Sequence, residues 1–487
     1  MRGMFQSGAR EPLIREIELP ASFEECYGRI GFSSPYSALL SGGSDYSFGR
    51  FSYIGCDPYL VFRCSGSHQT IEFPDRVESA SGDPFDTLKK IIEGCEVRSD
   101  WNEAPFYAGG IGAFGFDLGQ FIERLPRRAA VNLPLPDLIF AVYRTILIHD
   151  RLAGRTHLSS VEYSAEGGGA GAAEKCADRA RRWIEEPVVE VPAPYIAKTR
   201  APVSNFTREQ YLRAVEKTLE HIRAGDIYQV NLSQQFRAGL SSSPQAYFKK
   251  LRDINPAPFG AYLDYGDFKI ISSSPERFLK KNGRQVETRP IKGTRPRGAD
   301  AAGDAALARE LILSEKDNAE LAMIVDLERN DLGRVCEFGS VAVTEEKTLE
   351  SYATVHHLVA TVKGILREGC GPVELLRAAF PGGSITGCPK IRSIEIIDEL
   401  EPTRRGFYTG SIGWIGFNGD MDTNIVIRTL VAKGGEVWFN VGGGIVADSD
   451  PAAEYQETLD KGRALVEALA AGDGNRDSSA TKRARAE

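Results

Sequence analysis

Lys292, in the segment Arg289-Pro290-Ile291-Lys292-Gly293-Thr294-Arg295, is the side chain best suited to covalent chemistry. Positive neighbours disfavour protonation of an ammonium group, so we expect Arg289, Arg295 and Arg297 to lower the pKa of this lysine. A neutral lysine is a nucleophile, and the flanking proline and glycine could hold it on a stiff turn that allows close approach. On residue type alone, the alternative is a solvated loop lysine.

Two pairs of carboxylates have the spacing of a metal site. Glu454 and Glu457 lie three residues apart in a predicted helix and share a face, to which Lys461 returns two turns after Glu454. Asp317 and Glu320 repeat this spacing in a second predicted helix. Such pairs could converge on one Mg²⁺, which takes a few carboxylates together with water and substrate oxygens. Solvated helix faces with stabilising Glu–Lys pairs are the alternative.

Glu276 and His357 are candidates for proton transfer. Glu276 ends a predicted strand, and a carboxyl group there could act as a general acid if burial raises its pKa. A salt-bridged edge glutamate is the alternative. His356 and His357 are adjacent on a predicted strand, so one of them must point away from any site that the other faces.

The glycine run Gly442-Gly443-Gly444 lies in a strand predicted over Glu436–Ala447. Bare glycines let backbone N–H groups approach an anion, although a bulged or tightly packed strand explains such a run equally well. Neither the G-x-x-x-x-G-K-[ST] motif nor a G-x-G-x-x-G motif after a strand is present, so the sequence gives little support to nucleotide binding.

Composition excludes several classes of protein. A formal net charge of −8 over 487 residues gives no basic footprint for nucleic acid. No apolar run reaches the ~18 residues of a membrane-spanning helix, and the N-terminus lacks the apolar region of a signal peptide. Eight cysteines without a C-x-x-C pair are typical of reduced thiols in a cytoplasmic protein.

Three regions follow from the apolar runs and turn residues. Residues 1–185 alternate short apolar runs with turns, which predicts strands, before a helix over Ala173–Ile184. An extended segment over Glu185–Ser204 leads into residues 200–470, which mix strands and helices, and residues 472–487 are predicted to form a disordered tail. The helices predicted in the second region are one through Ile222 that begins at a Thr207/Gln210 capping box, one or two over Asp304–Asp331, and Ala452–Ala470.

Several segments, in order along the chain, resemble the chorismate-utilising enzymes, the superfamily of anthranilate synthase component I. They cover roughly residues 200–465 strongly and the N-terminal part more weakly. The resemblance implies an α+β fold in which two antiparallel sheets form a β-sandwich flanked by helices, with the site between the sheets. The segments include Ser273–Phe278, Pro290–Thr294, Ala319–Asp331, Pro381–Lys390 and Glu454–Thr458.

The resemblance also implies a role for each candidate. Lys292 would attack ring carbon 2 of chorismate and form a covalent intermediate, Glu276 would protonate the hydroxyl that leaves ring carbon 4, and His357 would face the site. Mg²⁺ would be bound by Glu320 and Glu457, with Asp317 and Glu454 as outer partners. The residues implied in substrate binding are Thr294, Thr386, Trp414 (where the family commonly has tyrosine), Arg428, Gly442, Gly443, Gly444 and Lys461.

The motif Pro-Ile-Lys-Gly-Thr at 290–294 resembles the aminodeoxychorismate synthase branch, whereas anthranilate synthases usually have alanine in place of the lysine. This implies a transferase that converts chorismate and ammonia to 4-amino-4-deoxychorismate, the precursor of 4-aminobenzoate and folate. The chain has no Gly-x-Cys-x-Gly glutaminase elbow, so ammonia is expected from a separate glutamine amidotransferase subunit, and a separate lyase would release 4-aminobenzoate.

Three other functions remain open at this point. Two of them belong to the same family: an anthranilate synthase component I, and an isochorismate or salicylate synthase, which adds water instead of ammonia. The third lies outside the family and is a non-catalytic metal- or anion-binding protein. The segment Leu39-Leu40-Ser41 stands where tryptophan-inhibited anthranilate synthases have Leu-Leu-Glu-Ser, so we do not expect feedback inhibition by tryptophan.

Overall fold

The computed structural model describes residues 10–43, 49–163, 171–186, 201–352 and 355–470. The tail predicted at 472–487 and residues 187–200 of the predicted extended segment lie outside the described residues. Among the residues that are described, no helix is long and apolar enough to cross a membrane.

Strands make up most of the regular structure before residue 161. They are β1 Leu13–Ile17, β2 Ala38–Ser41, β3 Phe51–Ser65, β4 His68–Glu72, β5 Val77–Ser81, β6 Gly109–Phe114, β7 Leu138–Asp150 and β8 Arg155–Ser160. The later strands are β9 Val203–Ser204, β10 Gln229–Gly239, β11 Phe259–Asp264, β12 Phe268–Ser274, β13 Arg277–Asn282, β14 Gln285–Arg289, β15 Ile291–Pro296, β16 Ala342–Ser351, β17 Val355–Ile365, β18 Gly387–Cys388, β19 Ser411–Gly416, β20 Met421–Ile425, β21 Thr429–Lys433 and β22 Glu436–Ile445.

The helices that the sequence predicted are all present, near the predicted bounds. Thr207 and Gln210 form both hydrogen bonds of the predicted capping box, and the Asp304–Asp331 region contains two helices separated at Ser314. The helices are α1 Phe23–Ser33, α2 Pro84–Gly94, α3 Ala172–Glu185, α4 Arg208–Arg223, α5 Pro244–Ile254, α6 Ala301–Leu313, α7 Glu315–Gly333, α8 Pro372–Ala379, α9 Lys390–Leu400 and α10 Pro451–Ala470, with short 3₁₀ helices at Phe116–Phe121 and Gly383–Ile385.

The strands form two antiparallel sheets, which confirms the predicted α+β sandwich. The first sheet has the order β1-β8-β7-β3-β2-β11-β12-β21-β22-β10, with β9 and β18 beside β10. The second has the order β5-β4-β3-β7-β6-β19-β20-β13-β14-β17, with β15 and β16 also paired to β17.

The two long strands β3 and β7 belong to both sheets. Their pairing joins Phe51–Cys56 to Thr145–Asp150 in the first sheet and Pro58–Cys64 to Leu138–Tyr143 in the second. The register shifts between Pro58 and Leu60, next to a left-handed backbone at Asp57 with φ 57°. Because β2 pairs with β11 and β6 with β19, the regions 1–185 and 200–470 share both sheets.

Helices cover the outer face of the first sheet. Residues of α1, α3, α5 and α10 pack against Ile54, Ile271 and Phe439 in one apolar cluster. A larger cluster contains the residues between the sheets together with the packing faces of α2, α4, α7, α8 and α9. This arrangement leaves the ends of β10, β15, β17 and β22 to form a shared cleft.

A buried arginine joins the segments around this cleft. Arg405 forms a bidentate ion pair with Glu401 at 2.7 and 2.9 Å, and only 1% of the arginine side chain is exposed. Its guanidinium also donates to the carbonyls of Ile385 and Asn231 and to the Thr409 hydroxyl. One side chain thus connects β10, the 383–385 turn and the approach to β19.

We expect Arg405→Ala to lower the free energy of unfolding by about 3–5 kcal/mol, because it leaves a buried carboxylate without its partner. Arg392→Ala is the matched control, since Arg392 forms ion pairs but its side chain is 38% exposed. The control should lose less than about 1 kcal/mol. Urea unfolding of both variants measures the difference, and equal losses would contradict the structural role of Arg405.

Candidate active site

Two neighbouring segments cross from one sheet to the other at the same level. The chain passes from β12 to β13 through Pro275 and Glu276, and from β20 to β21 through residues 426–428. The crossings hold each other, because the Ile425 N–H donates to the Glu276 carbonyl at 3.0 Å and the Ser273 N–H donates to the Arg428 carbonyl at 3.1 Å. Glu276 and Arg428 therefore lie at the junction of the two sheets.

The second sheet contributes Lys292 and His357 from adjacent strands. Lys292 on β15 pairs with Leu358, and a register shift follows at Gly293, whose φ is 76°. A Cβ at Gly293 would lie 2.7 Å from the Leu311 side chain, so this position needs glycine for space as well as for conformation. The bulge replaces the stiff turn that the sequence suggested.

Burial lowers the pKa of Lys292, and the positive charge of Lys461 lowers it further. The carboxylates of Glu320, Glu276 and Glu457 act in the opposite direction and do not outweigh these effects. Lys292 forms no ion pair within the described part of the chain. The predicted direction of the pKa shift is thus confirmed.

The predicted cause of that shift was wrong. The three neighbouring arginines pair with carboxylates, and none of them is among the main causes of the lowered pKa of Lys292. Arg289 pairs with Glu350 at 2.6 Å, and Arg297 pairs with Asp304 at 2.7 Å. Arg295 pairs with Glu310 at 2.7 Å and with Asp317 at 3.1 Å.

Burial raises the pKa of Glu276 to about 7, although hydrogen bonds from the Ser384 side chain and the Ile291 backbone and the charge of Lys292 lower it. The carboxyl group is 4% exposed and can therefore hold a proton near neutral pH. This agrees with the predicted general acid, which required burial.

The two adjacent histidines have different environments, as the strand geometry predicted. His357 is buried, its Nδ1 lies 2.9 Å from the Thr294 hydroxyl, and its Nε2 has no hydrogen-bond partner within the described residues. Burial and the nearby charge of Arg428 lower the pKa of His357 to about 3, so the ring is neutral. His356 instead contacts Ser351 at 2.8 Å and Asp304 at 3.0 Å.

The glycine run forms the floor of the cleft from the first sheet. A Cβ at Gly444 would lie 2.3 Å from the Gln229 amide and 3.5 Å from the Lys292 Nζ, so a larger residue would fill this space. Asn231 and Ser233 of β10 pair with Gly444 and Gly442 of β22, but their N–H groups donate to Thr386 and Glu401 instead of to β22. In an antiparallel ladder the N–H groups of two such opposed residues both point outward, so the N–H groups of Gly442 and Gly444 point away from β10. The N–H of Gly443 points toward β10 and belongs to the ladder.

A row of polar side chains on β10 was missed by the sequence analysis. Gln229, Asn231 and Ser233 alternate with apolar residues and face the glycine floor. Each has a buried oxygen without a hydrogen-bond partner within the described residues, namely Gln229 Oε1, Asn231 Oδ1 and Ser233 Oγ. The signal was available, since polar residues at every second position of a buried strand mark a polar face.

The carboxylates predicted to bind metal approach one another at the edge of this floor. Burial raises the pKa values of Glu320 and Glu454, and the negative charge of Glu457 raises both further. Glu454 has a buried Oε2 without a hydrogen-bond partner among the described residues, and a Cβ at Gly443 would lie 3.2 Å from it and 3.4 Å from Glu457 Oε1.

The donor set suits a hard divalent cation, because it consists of carboxylate oxygens that repel one another and include an unpartnered atom. As placed, no three His, Cys, Asp or Glu side chains within the described ranges are close enough together to hold a metal ion. Asp317 has a competing role in its ion pair with Arg295 at 3.1 Å. Glu457 likewise pairs with Lys461 at 2.6 Å, so the support for a cation rests on the donor chemistry and on the unpartnered Oε2 of Glu454.

Arg428 and Lys461 are the candidate cations for an anionic ligand. The Arg428 guanidinium is buried and donates to the Asn255 side chain at 2.9 Å, and no carboxylate of the described residues pairs with it. Lys461 pairs with Glu457 at 2.6 Å and donates to the Gly442 carbonyl at 3.1 Å. Arg428 is therefore the cation whose charge is available to a ligand.

Two residues predicted to bind the substrate have partners within the protein. Trp414 stacks on Phe106 at 4.8 Å between ring centroids and packs against Tyr53 at 6.2 Å. Its ring lines a pocket that it shares with residues of β2 and β3 rather than the cleft at Lys292, because β19 lies beside β6. Thr386 is fully buried, and its hydroxyl donates to the backbone carbonyls of Gly382 and Gly383 at 2.9 and 3.3 Å. The hydroxyl proton is thus already in use.

The profile of the chorismate binding enzyme family matches residues 44–467. Aminodeoxychorismate synthase component 1 of Bacillus subtilis (strain 168) is 40% identical over 469 residues, covering 94% of this chain and 97% of the relative. Anthranilate synthase component 1 of Thermus thermophilus is also 40% identical, over 461 residues, with the same 94% and 97% coverage. Overall identity therefore does not separate these two activities.

The solved structures agree on the fold. Anthranilate synthase component I from Streptococcus pneumoniae TIGR4 superposes with a TM-score of 0.76 and 31% sequence identity. The match covers 86% of this chain and 92% of that protein.

We expect Glu320→Gln to make Lys292 react faster with an amine-arylating reagent. Glu320 favours the protonated form of the lysine, so its removal lowers the pKa of Lys292 and increases the neutral fraction. The larger neutral fraction should accelerate labelling by at least about threefold at neutral pH. Mass spectrometry of the labelled peptide gives the rate. Glu310→Gln, which alters a carboxylate on Arg295, is the control and should leave the rate unchanged.

Proposed function

Since the chain belongs to the chorismate binding enzyme family, we propose that it is an aminodeoxychorismate synthase component I. It would convert chorismate and ammonia to 4-amino-4-deoxychorismate, the precursor of 4-aminobenzoate and folate. The observation that carries the proposal is Lys292, a lysine whose pKa is lowered by burial, beside a buried glutamate whose pKa is about 7.

The cleft suits a dianionic ring substrate. A carboxylate of chorismate can form a bidentate pair with the Arg428 guanidinium, whose charge no acidic side chain of the described residues neutralises. The amides of Gly442 and Gly444 supply further donors, and the bare glycines leave room for the ring. The neutral His357 has an unpartnered Nε2 that can form a hydrogen bond with the substrate without adding charge.

Each proton transfer in the proposed reaction has a donor and an acceptor. The neutral amine of Lys292 attacks ring carbon 2, both conjugated double bonds of the ring shift, and the hydroxyl at carbon 4 leaves as water with the proton of Glu276. Ammonia then attacks carbon 4, both double bonds shift back, and the lysine nitrogen leaves carbon 2. The ammonium formed at carbon 4 has a proton to lose, and the Glu276 carboxylate can take it, which restores the acid for the next cycle.

We propose Mg²⁺ as the cofactor of this site. Glu320, Glu454 and Glu457 would hold it, and a bound Mg²⁺ would neutralise a carboxylate of the substrate. The unpartnered Glu454 Oε2 and the mutual repulsion of these carboxylates support the assignment.

Ammonia would come from a glutamine amidotransferase subunit, because the sequence contains no Gly-x-Cys-x-Gly elbow. The buried Oε1 of Gln229 lies in the wall next to Lys292 and can accept a hydrogen bond from the incoming ammonia. We assign the enzyme to the cytoplasm on its cysteine usage, since all eight cysteines are free thiols.

Anthranilate synthase component I is the second candidate, and the relative from Thermus thermophilus favours it as much by identity as the first candidate. That reaction requires loss of pyruvate rather than displacement by an enzyme amine, so it would give Lys292 no covalent role. A lysine with a lowered pKa at this position supports the amination at carbon 4.

We expect Lys292→Ala to reduce formation of aminodeoxychorismate by at least about 100-fold, the size typical of losing a catalytic group. The assay contains chorismate, Mg²⁺ and ammonium, with products separated by chromatography and identified by mass. Lys249→Ala, at an exposed position of α5, is the control and should retain full activity. Anthranilate and pyruvate from the wild type would assign the protein to the second candidate. No turnover, even with glutamine and the amidotransferase, would leave a binding protein.

We expect Ser384→Ala to extend activity to higher pH. Glu276 must be protonated to act as an acid, so kcat/KM should fall as pH rises through its pKa of about 7. The Ser384 hydrogen bond lowers this pKa, and its removal should shift the alkaline limb upward by up to about one pH unit. The acidic limb, where Lys292 becomes protonated, should not move. Ser340→Ala, at the surface, should leave the whole profile unchanged, and an unshifted limb in Ser384→Ala would contradict the role of Glu276.

A further inference from the structure

Arg428 has an unusual environment for an arginine that is partly buried. Its φ of 50° is left-handed, and its carbonyl is held by the Ser273 N–H at 3.1 Å. Burial lowers the pKa of its guanidinium, and no nearby carboxylate counters this effect. The arginine is thus fixed through its backbone and kept without a counter-charge within the described residues.

Arg277 and Arg405, which are the fully buried arginines of the described residues, are both paired with carboxylates. Arg277 binds Asp422 and Glu287 at 3.0 Å each, and Arg405 binds Glu401. At Arg428 the corresponding position is taken by the neutral oxygen of Asn255, which accepts a hydrogen bond from Nη1 at 2.9 Å. This neutral acceptor orients the guanidinium but does not neutralise its positive charge.

Asn255 is itself rigidly held. It caps the C-terminus of α5, where its N–H donates to the Leu251 carbonyl at 2.8 Å, and it is only 6% exposed. Its Nδ2 donates to the carbonyl and hydroxyl oxygens of Ser273 at 3.4 and 3.3 Å, and the Ser273 hydroxyl donates to the Asn255 carbonyl. With donors and acceptors defined on both sides, the amide oxygen must face Arg428.

We propose that Asn255 is a positioning residue that fixes the Arg428 guanidinium through a neutral acceptor and so reserves its positive charge for a carboxylate of the substrate. This inference rests on the proposed function, which gives the ligand of Arg428. An aspartate of the same shape would form a buried ion pair with Arg428, cancel its charge and repel the substrate. The role therefore requires an amide and not merely a side chain of this size.

Comparison of Asn255→Ala with Asn255→Asp tests the inference. Thermal unfolding is measured together with kcat and the KM for chorismate in the ammonium assay. Asn255→Ala should raise KM about tenfold, the effect of losing one hydrogen bond to a charged group, and should lower the unfolding temperature. Asn255→Asp should be at least as stable as Asn255→Ala yet raise KM about 100-fold, because a close charge pair is the stronger interaction. In both variants kcat should stay within about threefold.

The result that distinguishes the explanations is which of the two variants has the higher KM. A purely structural role would make Asn255→Ala the worse variant in both stability and KM, and that result would overturn the inference. Asn205→Asp is the matched control, since Asn205 hydrogen-bonds Gln235 and Thr403 away from Arg428, and its KM should not change.

A third variant tests the inference if Asn255→Asp does not fold. Asn255→Leu is neutral and of similar size but cannot accept the hydrogen bond, so it should raise KM about tenfold with kcat nearly unchanged. A loss of kcat at unchanged KM would overturn the inference. If the wild-type protein does not turn over chorismate, the proposed function fails instead, and the two outcomes are thereby separated.

Discussion

The site depends on two neighbouring strands that leave one sheet and enter the other at the same level. The crossings between β12 and β13 and between β20 and β21 hold each other through backbone hydrogen bonds at Glu276 and Arg428. Each crossing interrupts the regular ladder and turns a charged side chain toward the space between the sheets. The remaining groups then arrive from strands that end around the same space: Lys292 and His357 from the second sheet, and the glycine floor from the first. The chemistry follows from the way in which the sandwich is joined.

Exclusion of water shifts the pKa values of the acids and the bases of this site in opposite directions. Burial raises the pKa of Glu276 and lowers those of Lys292 and His357, so it favours the neutral form of an acid, an amine and an imidazole in the same place. In water at neutral pH the glutamate and the lysine would be charged and would carry the wrong protons for leaving-group protonation and nucleophilic attack. Arg428 is the exception, because a guanidinium stays charged even when buried, and it therefore suits the binding of an anion.

Features with a local cause were predictable from the sequence, and features that depend on distant contacts were not. The capping box at Thr207, the two helices between Asp304 and Asp331 and the opposed histidines all arise from residues a few positions apart. The lowered pKa of Lys292 was predicted from adjacent arginines, yet those arginines pair elsewhere, and burial by other strands has the same effect. The surroundings of Trp414 were not predictable, because they are set by the pairing of β19 with β6, which no local pattern reveals.

The sharing of β3 and β7 between the sheets has a consequence for synthesis on the ribosome. When residue 160 has been added, β2 and β6 still lack the neighbours β11 and β19, which end at Asp264 and Gly416. At typical rates of 5–20 residues per second, β2 would wait roughly five to twenty seconds for β11, and β6 roughly thirteen to fifty seconds for β19, each with an open strand edge. Such edges are templates for aggregation, so during translation this chain should depend on chaperones that shield its N-terminal half until the last strands of both sheets emerge.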